Sequence, residues 1–145
     1  MKRDPIKRVA FLAKNKEGQA ARKLVETIDR HRRAADKCNQ IRGYREEYEV
    51  HFDNLSKVGV DSRALSEYRQ FLGNLDDAVD QQMSVVNQTA EKVGEQRSEW
   101  LNKYHRKSAL DQLVELQAKE KVQTQEKRQQ KEVDEVSSRS DRKAG

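Results

Sequence analysis

Few residues in this chain are of the types that do chemistry, and their spacing brings none of them together. His31, His51 and His105 are scattered along the 145 residues and suggest no metal site. Cys38 is the single cysteine, which excludes an intramolecular disulfide or a cysteine metal cluster and is compatible with a reducing compartment. The acidic pairs Glu46–Glu47 and Asp76–Asp77 lie in charged stretches and read as solvated faces. No GxxxxGKS/T phosphate cradle, HExxH or GxSxG occurs. No catalytic residue, cofactor or metal is expected, and the chain is not expected to be an enzyme. Any function must therefore lie in the surface that its elements display.

Those elements are helices. Only 34% of residues are hydrophobic and 38% are charged, too little apolar surface for a multilayer core but enough for long helices sharing one narrow seam. Asp4 is a good N-cap and Pro5, the one proline, a good first helical residue. A four-three alternation then runs through Ile6, Ala10, Ala13, Glu17, Ala20, Leu24, Thr27, His31, Ala34, Cys38, Ile41, Arg45, Tyr48, Phe52 and Leu55. A break at Gly59 follows. The alternation resumes at Leu65, Tyr68, Leu72, Leu75 and Val79 and continues through Trp100 to Val114. A sustained seven-residue repeat predicts a coiled coil. The fold class is all-α: a long antiparallel two-helix hairpin with a C-terminal helical overhang. Its parts are helix 1 over 5–56, a tip loop over 57–61, helix 2 over 62–136 and a disordered tail over 137–145.

Pairing Leu55 with Leu65 makes residue numbers in each layer sum to 120. That sets Glu17 opposite Lys103, the small Ala20 opposite the large Trp100, and Ile6 opposite Val114. Nothing after about Leu116 then has a partner within the chain. The overhang is polar, with a sparse stripe of Val122, Gln129, Val133 and Val136. It is either a frayed tail or a segment that orders on a partner.

The formal net charge of +5 is unevenly spread. Residues 1–37 hold 12 Lys+Arg against 5 acids, residues 38–100 hold 7 against 12, and residues 101–145 hold 11 against 8. A hairpin would gather both basic ends at one pole, suited to an acidic partner. The interleaved acids and the lack of a binding motif argue against nucleic acid. No apolar leader follows Met1 and no window has the eighteen or so apolar residues of a membrane span, so a cytoplasmic location is expected.

A second stripe carries the functional information. With Leu65 at heptad position a, Ala64, Phe71, Ala78 and Val85 fall at g, and with Leu55 at d, Tyr44 also falls at g. In an antiparallel pair the two g edges share one side of the hairpin. Tyr44, Phe71 and Ala78 then form a flank, extended from the seam by Ile41, Tyr48, Leu75 and Gln82. A two-helix hairpin requires only a and d, so the flank is either spare apolar surface for a partner or a set of large side chains that thickens a thin core.

These residues also carry a resemblance. YREEY (Tyr44–Tyr48), LSEYRQFLGNLDDAVDQQ (Leu65–Gln82), the lone Trp100 and QKEVDE (Gln130–Glu135) come in the order and spacing of the flagellar export protein FliJ family, over about Ile6 to Val136. The resemblance implies a component of the bacterial flagellar type III export apparatus, with a two-helix coiled coil similar to the central stalk of rotary ATP synthases. Its partners would be the hexameric export ATPase, the export gate protein and export chaperones. It would sit peripherally at the cytoplasmic face of the inner membrane at the flagellar base. By the same resemblance, the gate-binding patch maps onto Ile41, Tyr44, Tyr48, Phe71, Leu75, Ala78 and Gln82, and the terminal ends pack toward the ATPase ring. The alternative is a generic structural or substrate-chaperone coiled coil, including one from a virulence-type secretion system.

Overall fold

The structure, a computed structural model, describes residues 4–144. Two helices pack against each other in an all-α hairpin: α1, Pro5–Val58, and α2, Ser62–Ala144. Asp4 starts α1 as its cap. The Ile6 N–H donates to Asp4 Oδ1 at 3.1 Å, and the Arg8 N–H donates to the Asp4 carbonyl at 3.2 Å. Asp61 caps α2. It accepts from the Arg63 N–H at 3.3 Å through its side chain and from the Leu65 N–H at 3.1 Å through its carbonyl.

Between the helices Gly59 has φ +82°, the left-handed conformation that closes a helix and that side chains resist. Because nothing before Gly59 breaks the helix, α1 includes Lys57 and Val58, and the link shrinks from the expected 57–61 to Gly59–Asp61. The far end departs further from expectation. α2 continues through 137–144, where a disordered tail was expected, and Gly145 lies outside the described residues. That stretch holds no Pro or Gly, and Arg142 and Lys143 in the last turn suit the negative end of the helix dipole.

The chain divides into two compact units, Gln19–Leu101 and Met1–Gly18 with Asn102–Gly145. In the first, the antiparallel register is visible in the contacts. The Phe52 ring stacks on Tyr68 at 5.5 Å between centroids, and His31 Nδ1 lies 3.0 Å from Thr89 Oγ1. Both pairs of residue numbers sum to 120, the expected register. The Thr89 hydroxyl is 2.9 Å from the Val85 and Val86 carbonyls, so its proton goes to backbone and its oxygen remains to accept from His31. Ala20, Ala34, Cys38 and Leu72 are buried in this unit. The other expected seam positions are half-buried, except Tyr48, which is exposed.

In the second unit Ala10 and Ala13 are buried, and Ile6, Lys103, Lys107, Leu110 and Val114 are half-buried. After Gln117 every side chain through Lys143 is exposed. Past Leu116 the chain still touches the cap of α1: Lys121 Nζ lies 3.8 Å from Asp4 Oδ2. The long lysine stem spans the extra turn of α2.

Three glycines are conformationally wasteful. A Cβ built on Gly43, Gly73 or Gly94 meets nothing within 4 Å, and all three sit inside helices. Gly43→Ala and Gly94→Ala should each stabilise the fold by about 0.5–1 kcal/mol through helix propensity. Gly59→Ala should destabilise it, because the positive φ there strains any side chain. Thermal unfolding followed by far-UV circular dichroism tests all three, and a lowered Tm for the first two variants contradicts open space at those positions.

Candidate partner-binding surface

The candidate surface belongs to the unit Gln19–Leu101 and is built by two adjacent segments, Ile41–Phe52 of α1 and Leu65–Gln82 of α2. Helical spacing puts Tyr44 and Tyr48 one turn apart on α1, and Phe71, Leu75, Ala78 and Gln82 one turn apart on α2. Of the seven residues expected to form the flank, Tyr44 is 49% exposed and Tyr48 and Phe71 are each 41% exposed. Ile41, Leu75, Ala78 and Gln82 are half-buried. Tyr48 meets Phe71 edge-on, with centroids 4.9 Å apart and an interplanar angle of 85°. This favourable quadrupolar arrangement fixes both rings while leaving part of each in solvent. Tyr48 falls at a seam position by spacing, yet its ring lies against the flank residue Phe71. Gln82 faces the other way chemically: its Nε2 donates to the Ala34 carbonyl at 3.0 Å.

Tyr68, by spacing a seam residue alone, is the hub of the aromatic cluster. Its ring lies 6.3 Å from both Tyr48 and Phe71, 6.0 Å from His51 and 5.5 Å from Phe52. The Arg69 guanidinium sits 5.8 Å from the Phe52 ring centre, within cation–π range. The ring network was foreshadowed only by the concentration of aromatics between Tyr44 and Phe71. The Tyr68 hydroxyl is buried without a hydrogen-bond partner. Burial, with a smaller contribution from Tyr48, pushes this phenol above its ordinary value.

A second feature was not anticipated. By spacing Arg45 is a seam residue, and Asp76 was read as part of a solvated face. The structure joins them. Arg45 Nε donates to Asp76 Oδ1 at 2.6 Å and its Nη2 reaches Asp76 Oδ2 at 3.5 Å, while Nη1 pairs with Glu49 on the same helix. The Asp76 hydrogen bond is the main cause that raises the guanidinium further above its ordinary value, so this cation is permanent. The available signal was an arginine at an a position with a carboxylate one residue beyond its partner in the same register.

Among the described residues no group of three His, Cys, Asp or Glu is placed to hold a metal ion. No helix of the described residues is long and apolar enough to cross a membrane.

An aromatic flank on an antiparallel helical hairpin defines a coiled-coil protein whose candidate site is a surface rather than a cleft. Comparison with known proteins agrees in kind. The family model described as "Flagellar FliJ protein" matches residues 1–145, and the chain belongs to that family. The "Flagellar FliJ protein" of Escherichia coli (strain K12) is 27% identical over 129 residues, covering 89% of this chain and 88% of the relative. No solved structure gives a significant match. Membership makes the chain a component of flagellar protein export, within flagellum biogenesis and motility.

The Tyr68 hydroxyl generates a prediction. Because folding raises its pKa, the folded chain holds the phenolic proton more tightly than the unfolded chain does. Stability is therefore fully present below about pH 10 and falls as pH rises from there through the folded value. Tyr68→Phe keeps the ring contacts and removes an unpartnered hydroxyl. Its Tm at neutral pH should be equal or higher, and its alkaline loss of stability shallower. A lower Tm at neutral pH shows that the hydroxyl has a partner.

Proposed function

We propose that the chain is a non-enzymatic, stalk-like coupling component that links the hexameric export ATPase to the export gate. The patch of Ile41, Tyr44, Tyr48, Phe71, Leu75, Ala78 and Gln82 docks the gate protein. The observation that carries this reading is the exposure of Tyr44, Tyr48 and Phe71 together on the unit Gln19–Leu101. Burial of aromatic side chains is what anchors a protein interface, and solvated apolar surface of this kind is otherwise a liability.

The ATPase contact falls to the other unit. It exposes Phe11 and Leu12 on α1 and Leu113 and Leu116 on α2, among Lys7, Arg8 and Lys14. Export chaperones are escorted by the same chain, and all of this takes place at the cytoplasmic face of the inner membrane, with association through the export apparatus alone. A protein that couples two machines in this way needs stiffness and two sticky surfaces. It needs no catalytic group of its own.

Phe71→Ala with Leu75→Ala should abolish gate binding in pull-downs from a motile bacterium's lysate, with export ATPase recovery near wild type. The far-UV helical signal should change little, because Phe71 is partly exposed and the helices extend far beyond both positions. Gate capture that survives the double substitution removes the patch from the proposal. Capture of export substrates alone, without ATPase or gate, replaces the stalk with a substrate chaperone.

A further inference from the structure

The Arg45–Asp76 pair does more than satisfy two charges. Arg45 occupies an a position in a seam otherwise built at this level from Ile41, Tyr48 and Phe52 on one helix and Tyr68, Leu72, Leu75 and Val79 on the other. An apolar residue there would pack against Leu75. Instead the side chain, still 30% exposed, turns to the carboxylate of the next residue along α2 and takes both oxygens. Glu49 braces the guanidinium from one turn further along α1.

Apolar seams are tolerant of sliding, since Leu, Val, Tyr and Phe at repeating positions can exchange partners. A single polar residue at an a position is the usual device that removes this freedom, at some cost in stability. The sequence shows how discriminating it is in this chain. Sliding one helix by a heptad would replace Asp76 opposite Arg45 with Arg69 in one direction and Met83 in the other. The first places two guanidinium groups together, and the second leaves Arg45 facing a thioether. The native register alone supplies a carboxylate.

Register also decides whether the flank exists. Tyr44 and Tyr48 flank Arg45 in α1, and Leu75 precedes Asp76 in α2. The 4.9 Å contact of Tyr48 with Phe71 crosses between the helices and holds only in this pairing. The short link at Gly59–Asp61 restrains the register as well, but its restraint weakens when the exposed helix ends beside it fray.

We propose that Arg45, acting through Asp76, is the positioning residue that locks the two helices in register and thereby assembles Tyr44, Tyr48 and Phe71 into one docking surface. The docking half of this rests on the gate-binding reading above, whereas the register half stands without it.

The experiment places spin labels at Asp53→Cys and Gln70→Cys, both exposed and on different helices, in full-length chain that retains the buried Cys38. Wild type should give one narrow distance. Arg45→Met should keep or raise the Tm, because an apolar side chain fills the seam, yet broaden or split the distance distribution. Asp76→Asn, a mild change at an exposed position, should broaden it too. The exchange Arg45→Asp with Asp76→Arg should restore a single distance. Affinity for the purified gate protein should fall by about tenfold in both single variants, within the range for coupled neighbours, and recover in the exchange. A single unchanged distance in both Arg45→Met and Asp76→Asn overturns the register lock. A gate protein that fails to bind wild type, with the distances behaving as expected, overturns the docking assignment and leaves the lock standing.

Discussion

A pair of helices with no third layer can bury apolar surface only along the line where they touch, and that restriction governs the rest of this protein. Among the described residues six are buried hydrophobics, and five of them, Ala10, Ala13, Ala20, Ala34 and Cys38, are small and lie on α1. The sixth, Leu72, lies on α2. In the observed register small residues of α1 face larger ones of α2. The larger side chains cover them and stay half in solvent themselves. Hydrophobic stabilisation scales with area removed from water, so a seam this narrow yields little per turn and must be repeated over many turns. The 54 residues of α1 and the part of α2 up to Gln117 meet that need, and the rest of α2 is exposed.

Narrowness explains why so much of the fold could be read from the sequence. A seam that must repeat every seven residues leaves a periodic trace, and nothing else in the chain competes with it. The spacing located the seam residues that the structure buries or half-buries, and pairing Leu55 with Leu65 gave the register seen in His31–Thr89 and Phe52–Tyr68. The cap at Asp4 was legible because few residue types satisfy exposed N–H groups. The end of α2 was not legible, because a polar stretch rich in Ser, Arg and Asp has the same composition in a solvated helix as in a tail.

Features across the seam were harder to read for a different reason. Spacing says which residues share a face but not where a long side chain ends. Spacing put Arg45 on the seam and Asp76 on a solvated face, and their pairing depends on an arginine reaching one residue past its layer partner. Tyr48 is a seam residue by position and a flank residue by contact, because its ring lies against Phe71. Gln82 is the converse: expected on the flank, it has its amide engaged on the Ala34 carbonyl. The candidate surface therefore has an aromatic centre at Tyr44, Tyr48 and Phe71 with half-buried support around it.

The same thinness ties the fold to the proposed work. In a globular protein a cluster such as Tyr48, Phe52, Tyr68 and Phe71 would be enclosed by further elements. Within this unit only two helices meet, so rings that exceed the width of the seam emerge on its side. Apolar surface for a partner thus arises from the packing itself and needs no added loop or domain. Its position is only as well defined as the helix register, because the rings that form it come from both helices. A surface of this kind makes the polar interruptions of the seam as consequential as its apolar residues. The apolar positions hold the helices together, and the charged pair at Arg45 and Asp76 selects which rings meet.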